Sequence, residues 1–380
     1  MEGFIHSSSI MMHFSKLPDP RKARNQLDSL HDIISTSILA MLCGQDDYMG
    51  FSLWTQMNLD WLQSVNICKY GAPSHDTYER FFAFLNPHSF RTCFMQWTQS
   101  IAQAFGGDSI AIDGKTLCGS GNKTIDPIHM VSAFASEQSL VLGHLKCSGK
   151  GKELETIQSL LTILNIKGVF VTIDAAGCHK IVVEQICSQG GDYVIALKGN
   201  QGHLHAEAHN FFEQAQNVIP EEASCDYWRS EKCTRGRSEI REVWATEKLD
   251  WLPQRQIWKK LHSLICVKVQ KKSQERNSCE IRYFISSLPA NTERLAKEVR
   301  NHWSIENKLH WQLDVNFRED LSRVRKGNGA ENLSIARRAT LNLLQKDKTS
   351  KVSLRKRRFI ASCRKDYLLD LVNAKEILHA

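Results

Sequence analysis

The chain has 380 residues, 42% hydrophobic and 24% charged, with a formal net charge of +8. These values fit a soluble globular protein with room for two or three domains, and they exclude a disordered chain. No apolar run approaches the ~20 residues of a membrane span, and MEGFIHSSSIMMHF lacks the plan of a secretory signal. The twelve cysteines lie singly with no CxxC pair, which points to reduced cytoplasmic thiols rather than zinc or disulfides.

Residues 1–18 read as a loose leader. From Asp19-Pro20 the pattern turns helical. HDIISTSILAMLCG (31–44) has apolar residues at helical spacing, and Gly44 can end it. Further helices are expected over about 50–66, over TYERFFAFL behind a Ser74 or Asp76 cap, and over 88–105 before Gly106-Gly107. Residues 1–105 therefore read as a small helical domain.

Residue 109 begins a different texture. SIAID, IHMVSAFA and LVLGHLKC read as a three-strand meander. A helix over about 151–165, the strand VFVTID, a helix near 177–189, the strand DYVIALK and a helix over about 200–216 follow. The order βββαβαβα is that of a ribonuclease-H-like α/β sheet, in which the first and fourth strands are neighbours. Residues 225–290 alternate polar and apolar with no strong helix, and read as a β-rich insertion. Helical texture returns over 291–317 and 329–345, so the core is expected to span 106–345. No internal repeat is apparent.

In this order two apolar runs end on acids. Asp113 precedes a glycine, and an Asp-Gly pair alone reads as a turn. The recurrence at Asp174 (VFVTIDAAG) points instead to chemistry, because the topology brings the two strand ends together. Glu306 is a third acid, set among Trp303, Ile305, Leu309 and Leu313 on a stripe that should be buried. Carboxylates are the hard ligands that Mg²⁺ or Mn²⁺ prefer, and a pair of such ions suits phosphodiester displacement.

IDGK, TIDAAGC, DYVIALKGNQ, HWSIENKLHW and FREDLSR closely resemble the H-repeat-associated insertion-sequence transposases of the DDE class, and the similarity runs from DPRKARN (19–25) to the basic end. The resemblance implies Asp113, Asp174 and Glu306 as the catalytic and metal-binding acids, with two Mg²⁺ or Mn²⁺ ions. It implies strand cleavage and 3′-hydroxyl strand transfer on double-stranded DNA by a homodimer, with the helical domain over 1–105 binding the element's ends. Two departures stand out: His302 occupies a position where the wider superfamily has Arg, and Leu313 one where it has Lys. Phosphate contacts then fall to His302, Lys308 or His310. Cys118 follows DGKTL where the closer relatives have Arg.

Rivals are weighed beside these. Glu319 or Asp320 are alternatives for the third acid, though helix-end pairing with Arg318 or Arg323 is the expected role. Trp303 and Trp311 stack on a flipped base or, by helical spacing, belong to the core. His129 stays unassigned. Lys115 and Lys198 lie beside strand ends, within reach of phosphate. Between Lys346 and Asp366 nine basic residues face two acidic ones, carrying +7 of the +8, so Arg355, Lys356, Arg357 and Arg358 are expected to contact DNA from a basic segment over 346–380. The alternative functions are a structure-selective nuclease that cuts without joining, and a non-catalytic DNA-binding relic.

Overall fold

The computed structural model describes residues 8–21, 27–102, 109–149, 151–220, 222–234, 237–272, 277–348 and 350–373. Most of DPRKARN, Gly106-Gly107 and the first seven residues of the expected leader lie outside this set.

The helical N-terminal region comprises α1 (Ser9–Phe14), α2 (Leu30–Leu42), α3 (Tyr48–Met57), α4 (Leu59–Ser64), α5 (His75–Phe84) and α6 (Pro87–Ile101). The starts are written locally. Ser29 and Asp32 form a reciprocal capping box at α2, and the Ser74 hydroxyl accepts from Thr77 N at α5. Asn86 caps α6, with Pro87 in the first turn, where its missing N–H is harmless. The loose-leader expectation is corrected at α1: Ile10, Met11 and Phe14 are buried, and an apolar face of that size is stable only when packed.

One nine-stranded sheet forms the centre, in the order β3-β2-β1-β4-β5-β9-β8-β7-β6. Its strands are β1 (Ser109–Leu117), β2 (Ile128–Ala135), β3 (Leu140–Lys146), β4 (Phe170–Ile173), β5 (Asp192–Leu197), β6 (Asp226–Thr234), β7 (Arg237–Thr246), β8 (Ser263–Lys272) and β9 (Asn277–Ser286). The first three form the antiparallel meander. β4 and β5 join in parallel through α7 (Glu153–Ile163) and α8 (Lys180–Ser188), and α9 (Gly202–Ala215) follows β5. This is the ribonuclease-H-like arrangement. The β-rich insertion is not a separate sheet, since β9 pairs antiparallel with β5 and extends the same sheet.

β1 pairs with β4 only over Ser109–Ile112, yet pairs with β2 as far as Leu117. The strand therefore does not stop at Asp113, as its Asp-Gly suggested. β4 stops instead, and Asp113 is the first β1 residue without a neighbour on that side.

After the insertion come α10 (Thr292–His302), a π-helical turn (Glu306–His310), α11 (Trp311–Phe317), α12 (Gly329–Lys346), α13 (Leu354–Cys363) and α14 (Lys365–Asn373). α12 is buried from Gly329 to Leu344 and packs on α2, α5, α6 and β3. Two of its buried amides bond to neighbouring backbone. Asn332 donates to Phe82 O and Leu85 O at 2.8 and 2.9 Å. Asn342 exchanges two 2.9 Å bonds with the Val141 backbone, covering the outer edge of β3 as a further strand would. Helices and sheet share one large hydrophobic core, and a second cluster lies under α10. All twelve cysteines are unpaired and most are buried. Among the described residues no helix is long and apolar enough to cross a membrane.

Candidate active site

Asp113 and Asp174 are held by their own backbones. Asp113 Oδ1 accepts from Gly114 N at 2.9 Å. Asp174, the residue after β4, accepts from Ala176 N at 3.0 Å and so starts a short 3₁₀ turn. Burial pushes the Asp113 carboxyl up to about 7, reinforced by the charges of Asp174, Glu306 and Glu153. Asp174 is raised too, by burial first and by Glu153. Carboxylates crowded this closely cannot all ionise freely without a cation among them.

Glu306 comes from the opposite side. Ile305, Leu309 and Leu313 are buried as expected, and the turn between them is wide: Trp311 N–H donates to Glu306 O, five residues back. His310 lies on the inner side of this turn, buried, with Nδ1 3.1 Å from Glu306 Oε2 and 3.6 Å from Asp113 Oδ2. Both neighbours are acceptors when ionised, so Nδ1 carries the proton. One ligand atom each from Asp113, Glu306 and His310 lie within 4.8 Å of one another. Two carboxylates at that spacing, one of them crowded into protonation, suit a divalent cation, with the His310 Nδ1–H as a donor beside them.

A further acid stands close by. A Cβ added at Gly114 would lie 2.3 Å from Glu153 Oε1 and 2.6 Å from His129 Nε2, so both side chains overlie the backbone beside Asp113. Glu153 Oε1 is 3.4 Å from His129 Nε2 and raises the His129 pKa. Sequence reasoning passed over this pair. Only the packing of α7 on β2 and β3 brings it to the site.

The other sequence-selected residues divide by what already holds them. Lys198, exposed at the end of β5, depresses the Asp174 pKa by its charge and is open to solvent. Lys308 is exposed, with Nζ donating to Ser136 O and Ser139 Oγ at 3.0 and 3.1 Å. Lys115 is buried between Asp314 (2.8 Å) and Asp320 (3.2 Å). His302 has Nδ1 3.2 Å from Thr172 Oγ1, and burial lowers its pKa to about 4. It is therefore neutral near pH 7 and offers no cation to phosphate.

Arg355 and Lys356 face solvent. Arg357 instead donates to Leu344 O and Asp347 O at 2.7 Å, at the carboxyl end of α12. Arg358 is buried, donating to Met41 O at 2.8 Å and Asp46 Oδ1 at 2.6 Å, with its guanidinium over the Phe317 ring. A run of like charges on a helix cannot all face one way, and here half of it is structural.

Glu319 is fully buried against Arg338 at 2.9 Å, and Asp320 pairs with Lys115. Both are engaged as ion-pair partners, though not with the arginines expected. Trp303 and Trp311 are 41% and 52% exposed, so the core expectation is corrected. They lie off the stripe of Ile305, Leu309 and Leu313, and Trp303 carries the Arg282 guanidinium over its ring at 4.2 Å.

A ribonuclease-H-like sheet with acids on its first strand, after its fourth and on a helix beyond a β-rich insertion has the layout of the DDE class. Residues 104–343 match the family described as Transposase DDE domain, and residues 11–98 match the one described as DDE_Tnp_1-associated. The chain is 38% identical to "Putative protein YbfL" of Escherichia coli K12, covering 96% of this chain and 97% of that protein. It is 37% identical to "H repeat-associated putative transposase YhhI" of the same organism, with the same coverage. Among solved structures, a cryo-EM structure of the piggyBac transposase synaptic complex with hairpin DNA aligns with 100% of this chain and 80% of its own, at TM-score 0.45 and 12% identity. The chain belongs to the DDE transposase family.

Proposed function

We propose that the protein cuts DNA at the ends of an insertion sequence and joins the freed 3′-hydroxyl to target DNA, using Asp113, Asp174 and Glu306 to hold two Mg²⁺ or Mn²⁺ ions. The observation that carries this reading is the meeting of Asp113, Glu306 and His310 within 4.8 Å, with the charge of Asp174 felt at Asp113. When bound, such cations supply Lewis acidity and neutralise charge on the reacting phosphate.

Water attacks a phosphorus at the element end, and the 3′-oxygen leaves with a proton. That hydroxyl then attacks a target phosphodiester, forming one ester as another breaks, so no covalent enzyme intermediate is needed. His310 acts as a positioning residue, its Nδ1–H turning Glu306 toward Asp113. Lys198, Lys308, Arg355 and Lys356 are the proposed phosphate contacts. Lys115, His302, Arg357 and Arg358 leave that set because they are buried or half-buried with their polar atoms held inside the protein, whereas Lys308 is exposed. Joining two ends calls for a dimer on DNA.

The test is a labelled duplex carrying the element end, with Mn²⁺, comparing wild type with Asp174→Asn and Glu306→Gln. Nicking by wild type with binding but no cutting by both variants supports the reading. Binding without cutting by wild type overturns it. Cut ends that never join to a target reduce the protein to a nuclease.

A further inference from the structure

We propose that the cleft between β6, β7 and α10 is a second DNA-binding surface, which grips the phosphate backbone of the duplex leading to Glu306. This rests on the function proposed above and adds a contact region that the sequence-selected cations do not include.

The cleft follows from register. β6 alternates Trp228, Ser230 and Lys232 on one face, and the pairing of Ser230 with Arg241 puts Arg241 on that same face. α10 lies across this face, with Leu295, Ala296 and Val299 packed into a cluster that includes Val243, Val267 and Phe284. At spacings of three, Arg294, Lys297 and Arg300 line one side of the helix. The result is an open cleft of about 590 Å³.

Its charge is one-sided. Lys232, Arg241, Arg294, Lys297 and Arg300 line it, against Glu293 as the acid. Lys297 is bonded to Glu137 at 2.7 Å and Arg241 to Glu239 at 3.2 Å. Lys232, Arg294 and Arg300 make no ion pair among the described residues. Arg294 is nonetheless held, its guanidinium lying over the Phe170 ring at 4.3 Å, and Arg241 Nε is buried without a hydrogen-bond partner among the described residues. Like charges gathered on ordered side chains destabilise the free protein slightly, and polyanion binding reverses that.

Position selects the polyanion. The helix that lines the cleft also leads to the active-site turn. At 1.5 Å per residue Arg294 stands roughly 18 Å from Glu306, about five nucleotide steps at 3.4 Å each. Arg282, over Trp303, is a further cation at the active-site end of that helix. An acidic protein surface would need no such alignment with Glu306. A duplex entering the site does.

The experiment uses the full chain and the labelled end-bearing duplex, with affinity measured by anisotropy across salt concentrations. Lys232→Ala/Arg300→Ala alters two exposed side chains that make no ion pair among the described residues, and its melting temperature should match wild type. Affinity should fall about tenfold, and the slope of log K against log salt should become shallower by about 2, one counterion per lost phosphate contact. Unchanged affinity and slope, with wild type binding and cutting, overturns the cleft alone. Wild-type binding without metal-dependent cutting, with the variant still impaired, overturns the proposed chemistry and leaves the cleft standing. A wild type that binds no duplex overturns both.

Discussion

His310 and Glu306 stand one wide turn apart, with imidazole Nδ1 3.1 Å from Glu306 Oε2. The imidazole is buried and the carboxylate largely exposed, so the fixed member steers the mobile one. His310→Ala should lower the metal-dependent cutting rate by about 10–100-fold, the usual effect of losing an outer-shell partner. DNA affinity should not change, and His310→Gln, which keeps a donor, should recover part of the loss. An alanine variant that cuts at the wild-type rate would remove His310 from the site.

Acid crowding makes a pH prediction with a defined sign. The Asp113 carboxyl rises from 3.8 to about 7, by burial first and then by the Asp174 charge. A folded-state pKa above the unfolded one means that the folded protein binds more protons in this window. The stability is therefore present at low pH and lost as pH rises from about 4 to 7. Without divalent ions, Asp113 should contribute several degrees more to the melting temperature at pH 5 than at pH 8, against the opposite trend of buried His302, whose pKa is lowered to about 4. Asp113→Asn should flatten that dependence, and Mn²⁺ should stabilise wild type at pH 8 far more than this variant. An asparagine variant with the wild-type pH slope would sink the crowding argument.

Glu319 and Glu306 are separable by stability. Glu319 faces Arg338 with both side chains fully buried, so Glu319→Gln strands a buried cation and should cost about 3–5 kcal/mol in denaturant unfolding. Glu306→Gln changes an exposed side chain and should cost less than about 0.5 kcal/mol while abolishing cutting. The opposite pattern would exchange their roles.

The basic segment divides the same way. Arg358→Ala removes bonds to Met41 O and Asp46 Oδ1 and a stack on Phe317, so a loss of about 2–4 kcal/mol is expected, with no change in the salt dependence of DNA binding. Arg355→Ala should leave the melting temperature unchanged and reduce the salt slope by about 1. Two variants that behave alike would contradict the division.

The order of strands was legible because each run announces itself by alternation or by an apolar stretch. Their adjacency was legible because the ribonuclease-H-like order places the first and fourth strands together. The pairing of β9 with β5 was not, since that register is made between segments about ninety residues apart and leaves no local mark. Asp113, Asp174 and Glu306 stand out as acids in apolar company, whereas Glu153 is an ordinary first-turn acid until α7 docks. The exposure of Trp303 and Trp311 escaped for a related reason, because an apolar residue at helical spacing need not lie on the buried stripe. The inward turn of Arg357 and Arg358 depends on where α12 ends, which the charge run does not state.

The wide turn at Glu306–His310 sets the phase of the helix that contains it. An α-helix rotates about 100° per residue, so a side chain aimed at the core and one aimed at β1 can fall out of step within a few residues. One extra residue in the turn works like a vernier, letting Ile305, Leu309 and Leu313 keep the apolar side down while Glu306 points at Asp113. Excising Asn307 should restore ordinary helical phase, keep the greasy stripe and swing the carboxylate roughly a quarter-turn away. The helix would still fold, aimed at nothing.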